Sequence, residues 1–367
     1  MLSFAMNIAI YPWGSGLTRI TGYATILLSY VLPFIAMRKD LRATLREEGK
    51  AAFVLCLVLL ISVVINLNNP TLNVDYFRDV FAFFCMYWTL ALPSRSYSRR
   101  DLKDIFLINK FLSLVFIVYT LGPFSFKYTI NALWGYSEFT LGMGNPNGTA
   151  LNVMFCIALL VIEIAYENRW YKKLVLLFGV AILTKVVVLL ASRTVLVCSC
   201  LIISMIWLRR FPIKKWYVDV SIAVMFIFVI VQMWMESQSG ILILGKTIAS
   251  GRQEMYRDFL ESVFEKPWKY VIGAIDDYRL TNAHNAPLAI LLNLGILGLG
   301  AFCTFWRTML RTNMVNSDGS VVQKVAIVVL CAYVIYSSTE AGPMLGMILY
   351  STPLVVLSRL AKDQFVD

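Results

Sequence analysis

Charge is what this sequence has least of. Of 367 residues, only 15% are Asp, Glu, Lys or Arg, against roughly a quarter in soluble globular domains. A soluble fold of this length needs more polar surface than that, which excludes a chain of ordinary soluble domains. Histidine is nearly missing, with His284 the single copy, so no His-x-x-x-His zinc motif can form. The seven cysteines (Cys56, Cys85, Cys156, Cys198, Cys200, Cys303, Cys331) all lie in apolar stretches. That placement excludes a disulfide framework and a thiolate zinc site. No glycine-rich phosphate loop and no Gly-x-Ser-x-Gly turn is present. The first positive charge is Arg19, which leaves no basic region for a cleavable signal peptide. Residues 1–16, with Pro12, Gly14 and Gly16, read as a short interfacial or partly inserted segment.

What the chain has in abundance is apolar sequence. Apolar residues make up 59% of it, and the mean hydropathy is +0.71. The residues come in runs, such as Ala51 to Leu67, Thr194 to Leu208 and Ser221 to Met235. Such runs approach the roughly 20 apolar residues needed to cross a bilayer's hydrocarbon core. The pattern predicts an all-α, polytopic transmembrane helical bundle. Its spans fall near 17–37, 51–67, 74–92, 105–122, 148–166, 173–191, 194–208, 216–235, 284–306, 324–339 and 343–358. That is eleven spans, or twelve if the first residues also dip in and out. Four units follow: N-terminal helices over 1–122, central helices with a first extracytoplasmic segment over 123–235, a large loop over 236–283, and C-terminal helices over 284–367.

The net charge of +11 raises the question of a nucleic-acid partner. The distribution of the cations answers it. Twenty of the 33 Lys and Arg fall in six short segments between apolar runs, for example Arg38 to Lys50 and Arg209 to Lys215. Alternate segments are nearly free of them: Asn66 to Asp75 has none, and Gly122 to Asn147 has only Lys127. This is the positive-inside pattern of a membrane protein, and it predicts a cytoplasmic C-terminus and no nucleic acid.

Two segments expected on the extracytoplasmic side stand out. Residues 122–147 are rich in aromatics and end in the turn formers Leu141-Gly-Met-Gly-Asn-Pro-Asn-Gly148. Such aromatics suit a membrane interface and equally a sugar-stacking surface. Residues 236–283 are the longest polar stretch, with six cations and seven carboxylates. Within it, Ser250 and Gln253 form a capping box. Met255, Phe259, Leu260, Val263 and Phe264 follow at helical spacing, and Pro267 stops the helix. Arg252 then lies in the first turn, where the helix dipole disfavours a cation but an anion would find free N–H groups. A solvated surface Arg is the plain alternative.

Four more residues are chemically out of the ordinary. His284, in Asn282-Ala-His-Asn285, sits where the polar loop meets an apolar span. Histidine is suited to proton transfer near neutrality; a single interfacial hydrogen bond is its bland reading. Arg193 lies in a tight turn at a membrane edge. It either snorkels to headgroups or matches phosphate oxygens with its planar fork. Lys185 reads as roughly mid-membrane and on nearly the same helix face as Arg193, where it is functional or explained by a buried partner. Glu340, in Ser337-Ser-Thr-Glu-Ala-Gly342, is placed to orient His284, pair with an Arg or cap a helix. Asp276-Asp277 alone is a weak signal for a metal.

Four patterns in order, Leu141 to Gly148, Ala191-Ser-Arg-Thr194, Ser250-Gly-Arg252 with its helix through Pro267 to Gly273, and His284-Asn285 with Gly295-Ile-Leu-Gly298, give a family likeness. The chain resembles the O-antigen polymerase and ligase superfamily of bacterial inner-membrane glycosyltransferases. The likeness covers mainly residues 140–300. It implies a GT-C-like fold, a site facing the periplasm, and transfer without a metal or other cofactor. The substrates it implies are undecaprenyl-diphosphate-linked glycans as donor and acceptor, with membrane lipid and a chain-length regulator protein as partners. It assigns catalysis to His284, Arg252 and Arg193. The wider binding set on that likeness is Arg193, Arg252, Lys185, Asn145, Asn147, Asn285, Glu340 and Arg257. The Leu-Gly-Met-Gly-Asn-Pro-Asn stretch favours a Wzy-type polymerase. The ligase that moves glycan onto lipid A-core often carries His-x-His-Asn, where this chain has Asn282. A transporter or flippase would show internal repeats and polar residues through several spans, and neither is visible.

Overall fold

The computed structural model describes residues 1–31, 47–68, 74–93, 96–130, 137–208, 212–234, 242–243, 246–247, 253–273, 284–315, 320–340, 342–346, 348–362 and 364–366. These residues are mostly helical. The first helices are α1 (Leu2–Ile10), α2 (Ser15–Ile26, continuing as a π-helical turn over Leu27–Val31), α3 (Glu47–Ile65), α4 (Val74–Ala91) and α5 (Arg99–Leu121). The central ones are α6 (Pro146–Tyr166), α7 (Trp170–Leu189), α8 (Arg193–Leu208) and α9 (Trp216–Trp234). The last are α10 (Gln253–Glu265), α11 (Ala286–Val315), α12 (Val321–Tyr336) and α13 (Ile348–Lys362). Three pairs of very short strands complete the described residues.

Among the described residues, helix is found within each of the eleven segments that the apolar runs mark out. Among the described residues, four helices are long and apolar enough to cross a membrane: α3, α5, α6 and α11. Residues 1–26 form two helices joined by a turn at Tyr11–Trp13, where a short interfacial piece is the expectation from sequence. Helix α6 is the centre of the bundle, with 94% of its most apolar window buried. It packs against α5, α7, α8, α12 and α13.

The helix ends have local causes. Asn145 caps α6 by accepting from the backbone N–H groups of Asn147 and Gly148, and Pro146 follows at the first helical position, where its missing N–H costs nothing. At α5 the Ser98 and Asp101 side chains and N–H groups exchange hydrogen bonds as a capping box. Helix α11 is broken at Gly295, whose φ of 68° and ψ of −169° fall in a region open essentially only to glycine.

One end of the bundle is tied by buried charge. Lys362, at the end of α13, pairs with Glu48 at the start of α3 and donates to the carbonyl of Leu90 at 2.6 Å. Arg359, one turn earlier, donates to the carbonyls of Thr89 and Pro93. These cations satisfy carbonyls left open at the end of α4. Nearby in sequence, the tail strand Gln364–Val366 pairs in parallel with Ser96–Ser98.

Candidate functional site

The opposite end of the bundle carries the polar cluster. His284 precedes α11 and holds a left-handed backbone with φ of 48°, a conformation that His tolerates better than most side chains. Its Nδ1 lies 3.1 Å from Oε2 of Glu340. The other carboxyl oxygen of Glu340 accepts from Nδ2 of Asn147 at 2.8 Å. Glu340 therefore joins the start of the central helix to the junction before α11. The His284 side chain is 42% exposed and that of Glu340 only 12%. A largely buried carboxylate thus holds a ring that is partly open. A carboxylate at Nδ1 places the ring hydrogen there and leaves Nε2 as the acceptor.

The scaffold around this trio is backbone. The amide of Asn285 donates to the Ser338 carbonyl at 2.7 Å and accepts from the Leu288 N–H. The Ala286 N–H donates to the Ser337 carbonyl at 2.8 Å. Residues 284–286 are thereby stitched to the turn that follows α12. The hydroxyl of Tyr336 donates to the Asn147 carbonyl at 3.2 Å. The ring of Tyr350 lies against Gly148, where any β-carbon would overlap it.

Several sequence expectations change here. Asn285 is fully buried and its amide is used by the backbone, so it anchors residues 284–286. Asn145 acts as the α6 cap. Lys185 is not on a helix shared with Arg193. It is exposed, and α7 ends at Leu189, four residues or roughly 6 Å beyond it. Ala191, with φ of 50°, then turns the chain before Arg193 opens α8. Helical spacing does not carry through that turn, so the eight positions between Lys185 and Arg193 do not place them on one face.

Arg193 is half-buried and lies at the same end as His284. The thiol of Cys198 in α8 meets the Ala332 carbonyl in α12 at 3.4 Å. Five residues back along α8 therefore reach the level where α12 ends and the 336–340 turn begins. Arg252 and Ser250 lie outside the described residues, so the capping box does too. Arg257 lies on α10, its side chain outside the described set.

The loop helix α10 forms, and it ends before Pro267 as the sequence predicts. Its buried face differs from the expected one. Tyr256 and Phe259 are buried against Tyr270, Leu288 and Leu292, with Val263 beside them. Phe264 is 78% exposed and does not belong to that face. Met255 and Leu260 lie outside the described side chains. Beyond α10, burial lowers the pKa of Lys269 and the charge of Lys266 adds to the effect; burial raises that of Tyr270.

The loop is fastened to α11 at its break. The Leu297 N–H donates to the Val271 carbonyl at 3.4 Å. A β-carbon on Gly273 would strike the Asn293 backbone, and one on Gly295 the Val271 carbonyl. Both glycines are needed for the two chains to approach.

A charge pair that the sequence did not reveal bridges α5 and α6: Lys110 to Glu163 at 2.8 Å. Its only signal was the rarity of such residues inside apolar runs. Among the described residues, no three His, Cys, Asp or Glu side chains gather as a metal site would require. No protein-family model, no curated protein and no solved structure matches this chain.

Proposed function

We propose that this chain is a polymerase of bacterial surface polysaccharide, working at the periplasmic face of the inner membrane on undecaprenyl-diphosphate-linked repeat units, within a GT-C-like bundle. The observation that supports this most is the Asn147–Glu340–His284 chain of hydrogen bonds at one end of an apolar helical bundle. A hydroxyl of the acceptor glycan attacks the anomeric carbon of the donor. Its proton passes to Nε2 of His284, whose ring is oriented by Glu340. The bond from the anomeric carbon to the phosphate oxygen breaks, and the lipid diphosphate leaves with the electron pair. Arg193 and Arg252 stabilise that anion. Chain length is then set by a separate regulator protein.

The test is deletion of the gene, followed by electrophoresis of the surface polysaccharide. A lost ladder with one repeat unit still attached to lipid A-core supports polymerisation. Loss of all attached repeats, with lipid-linked polymer accumulating, identifies a ligase instead. An unchanged ladder overturns both readings. Complementation with Arg193→Ala or Arg252→Ala should reduce polymer by about 10²-fold or more.

A further inference from the structure

The end of the loop carries a second feature, independent of the His284 cluster. Phe264 is 78% exposed, Trp268 72% and Val271 44%. All three lie within eight residues of one another, and Lys266 and Lys269 stand between them. Large exposed aromatics in a polar loop are costly to leave in water.

Their depth can be read from hydrogen bonds. The Ser62 hydroxyl donates to the Asn293 carbonyl, and Ser62 stands three residues before α3 ends at Ile65. The break at Gly295 is therefore level with that end of α3. Residues 296–315 of α11 extend from there for roughly 30 Å, the thickness of a hydrocarbon core. Val271 bonds to Leu297, two residues past the break. The bond brings Val271 beside Ile296 and Leu297, which are 59% and 54% exposed. Exposed apolar residues thus stand on both sides of the junction between the loop and a helix long and apolar enough to cross a membrane.

We infer that Phe264, Trp268 and Val271 insert into the bilayer leaflet on the His284 side, with Lys266 and Lys269 at its phosphate groups. Two observations select a bilayer as the occupant. The patch adjoins the outward face of α11 through the Val271–Leu297 backbone hydrogen bond. It pairs an aromatic with lysines, as membrane-edge segments do. On α10 the exposed Asp258 lies about 120° around the helix from Phe264 and the exposed Glu261 about 60° from it, so Asp258 marks the face turned further from the patch. The anchor fixes the level of α10 above the leaflet. It rests on the placement of these residues and not on the proposed reaction.

The experiment uses the full-length protein in vesicles of phosphatidylcholine and phosphatidylglycerol. Nitroxide labels are placed by Trp268→Cys, Phe264→Cys and Asp258→Cys in a background with Cys200→Ser and Cys303→Ser. Labels at 264 and 268 should collide several-fold more with lipid-soluble oxygen than with a water-soluble nickel chelate, and the label at 258 should show the reverse. Equal nickel access at 258, 264 and 268 overturns the inference. A second measurement needs no label. Brominated lipids should quench the protein's tryptophan emission less in Trp268→Phe than in the parent; identical quenching also overturns it. Neither readout depends on glycan transfer, so the two proposals fail separately.

Discussion

Glu340 reaches His284 across 56 positions of sequence, carboxylate oxygen to Nδ1 at 3.1 Å. The two residues come from separate apolar segments and meet only because the turn after α12 is bonded to the turn before α11. A carboxylate behind an imidazole fixes which ring nitrogen carries the hydrogen, and so where a reacting hydroxyl must stand.

Replacing the ring is the first prediction. His284→Asn should lower transfer of lipid-linked repeat units by about 10²- to 10⁴-fold, measured with purified protein and lipid-linked substrate. Asn is the right substitute because it tolerates the left-handed backbone, whereas Ala would add strain. Normal rates in a well-folded His284→Asn protein would remove this residue from the chemistry.

The second concerns the carboxylate. Glu340→Gln keeps the shape and removes the charge. It should cut the rate by about 10²-fold or more while leaving the protein's unfolding midpoint in detergent nearly unchanged. Asn147→Asp sets a second acid against Glu340 and should also slow transfer, with Asn147→Ser milder. A rate loss that follows the loss of folded protein in each variant would mark these residues as structural.

The third concerns the junction of loop and kink. Gly295→Ala forces a β-carbon into a glycine-only conformation, costing about 1–3 kcal/mol before any clash. Gly273→Ala meets the same junction from the other side. The double variant should be less destabilised than the sum, since both break one contact. Thermal unfolding in detergent reads this directly, and strict additivity would separate the two sites.

The fourth concerns the tied end. Lys362→Met leaves Glu48 buried without its cation and should cost about 3–5 kcal/mol. Exchanging Glu48 for Leu at the same time should recover most of that. If the single exchange leaves the unfolding midpoint unmoved, the pair is not a stabilising contact.

Helix positions were readable because each apolar run is long and bounded by charges. The end of α10 was readable because Pro267 cannot continue a helix. Phe264 was misplaced because it lies on the flank of the apolar stripe, where spacing cannot say which neighbour is present. The shared face of Lys185 and Arg193 was misjudged because helical spacing does not carry through the turn at Ala191 between α7 and α8. That Glu340 could orient His284 was legible from their shared position at span ends. The link from Asn147 was not, because nothing local joins the first turn of α6 to a residue 193 positions later. The break at Gly295 was hidden in the same way, since its cause is the Val271 backbone from the loop.

The latch of Lys362 on Glu48 has a consequence for motion. Tyr350 packs at the His284 end of α13, and Lys362 lies twelve residues further along, roughly 18 Å away. There it ties three helices together, through α3, α4 and α13. A carrier working by alternating access must part its halves at each face in turn. Parting them here would break a buried ion pair together with the carbonyl contact of Lys362. The three helices at that face are therefore expected to move as one unit, with the His284 end the freer of the two.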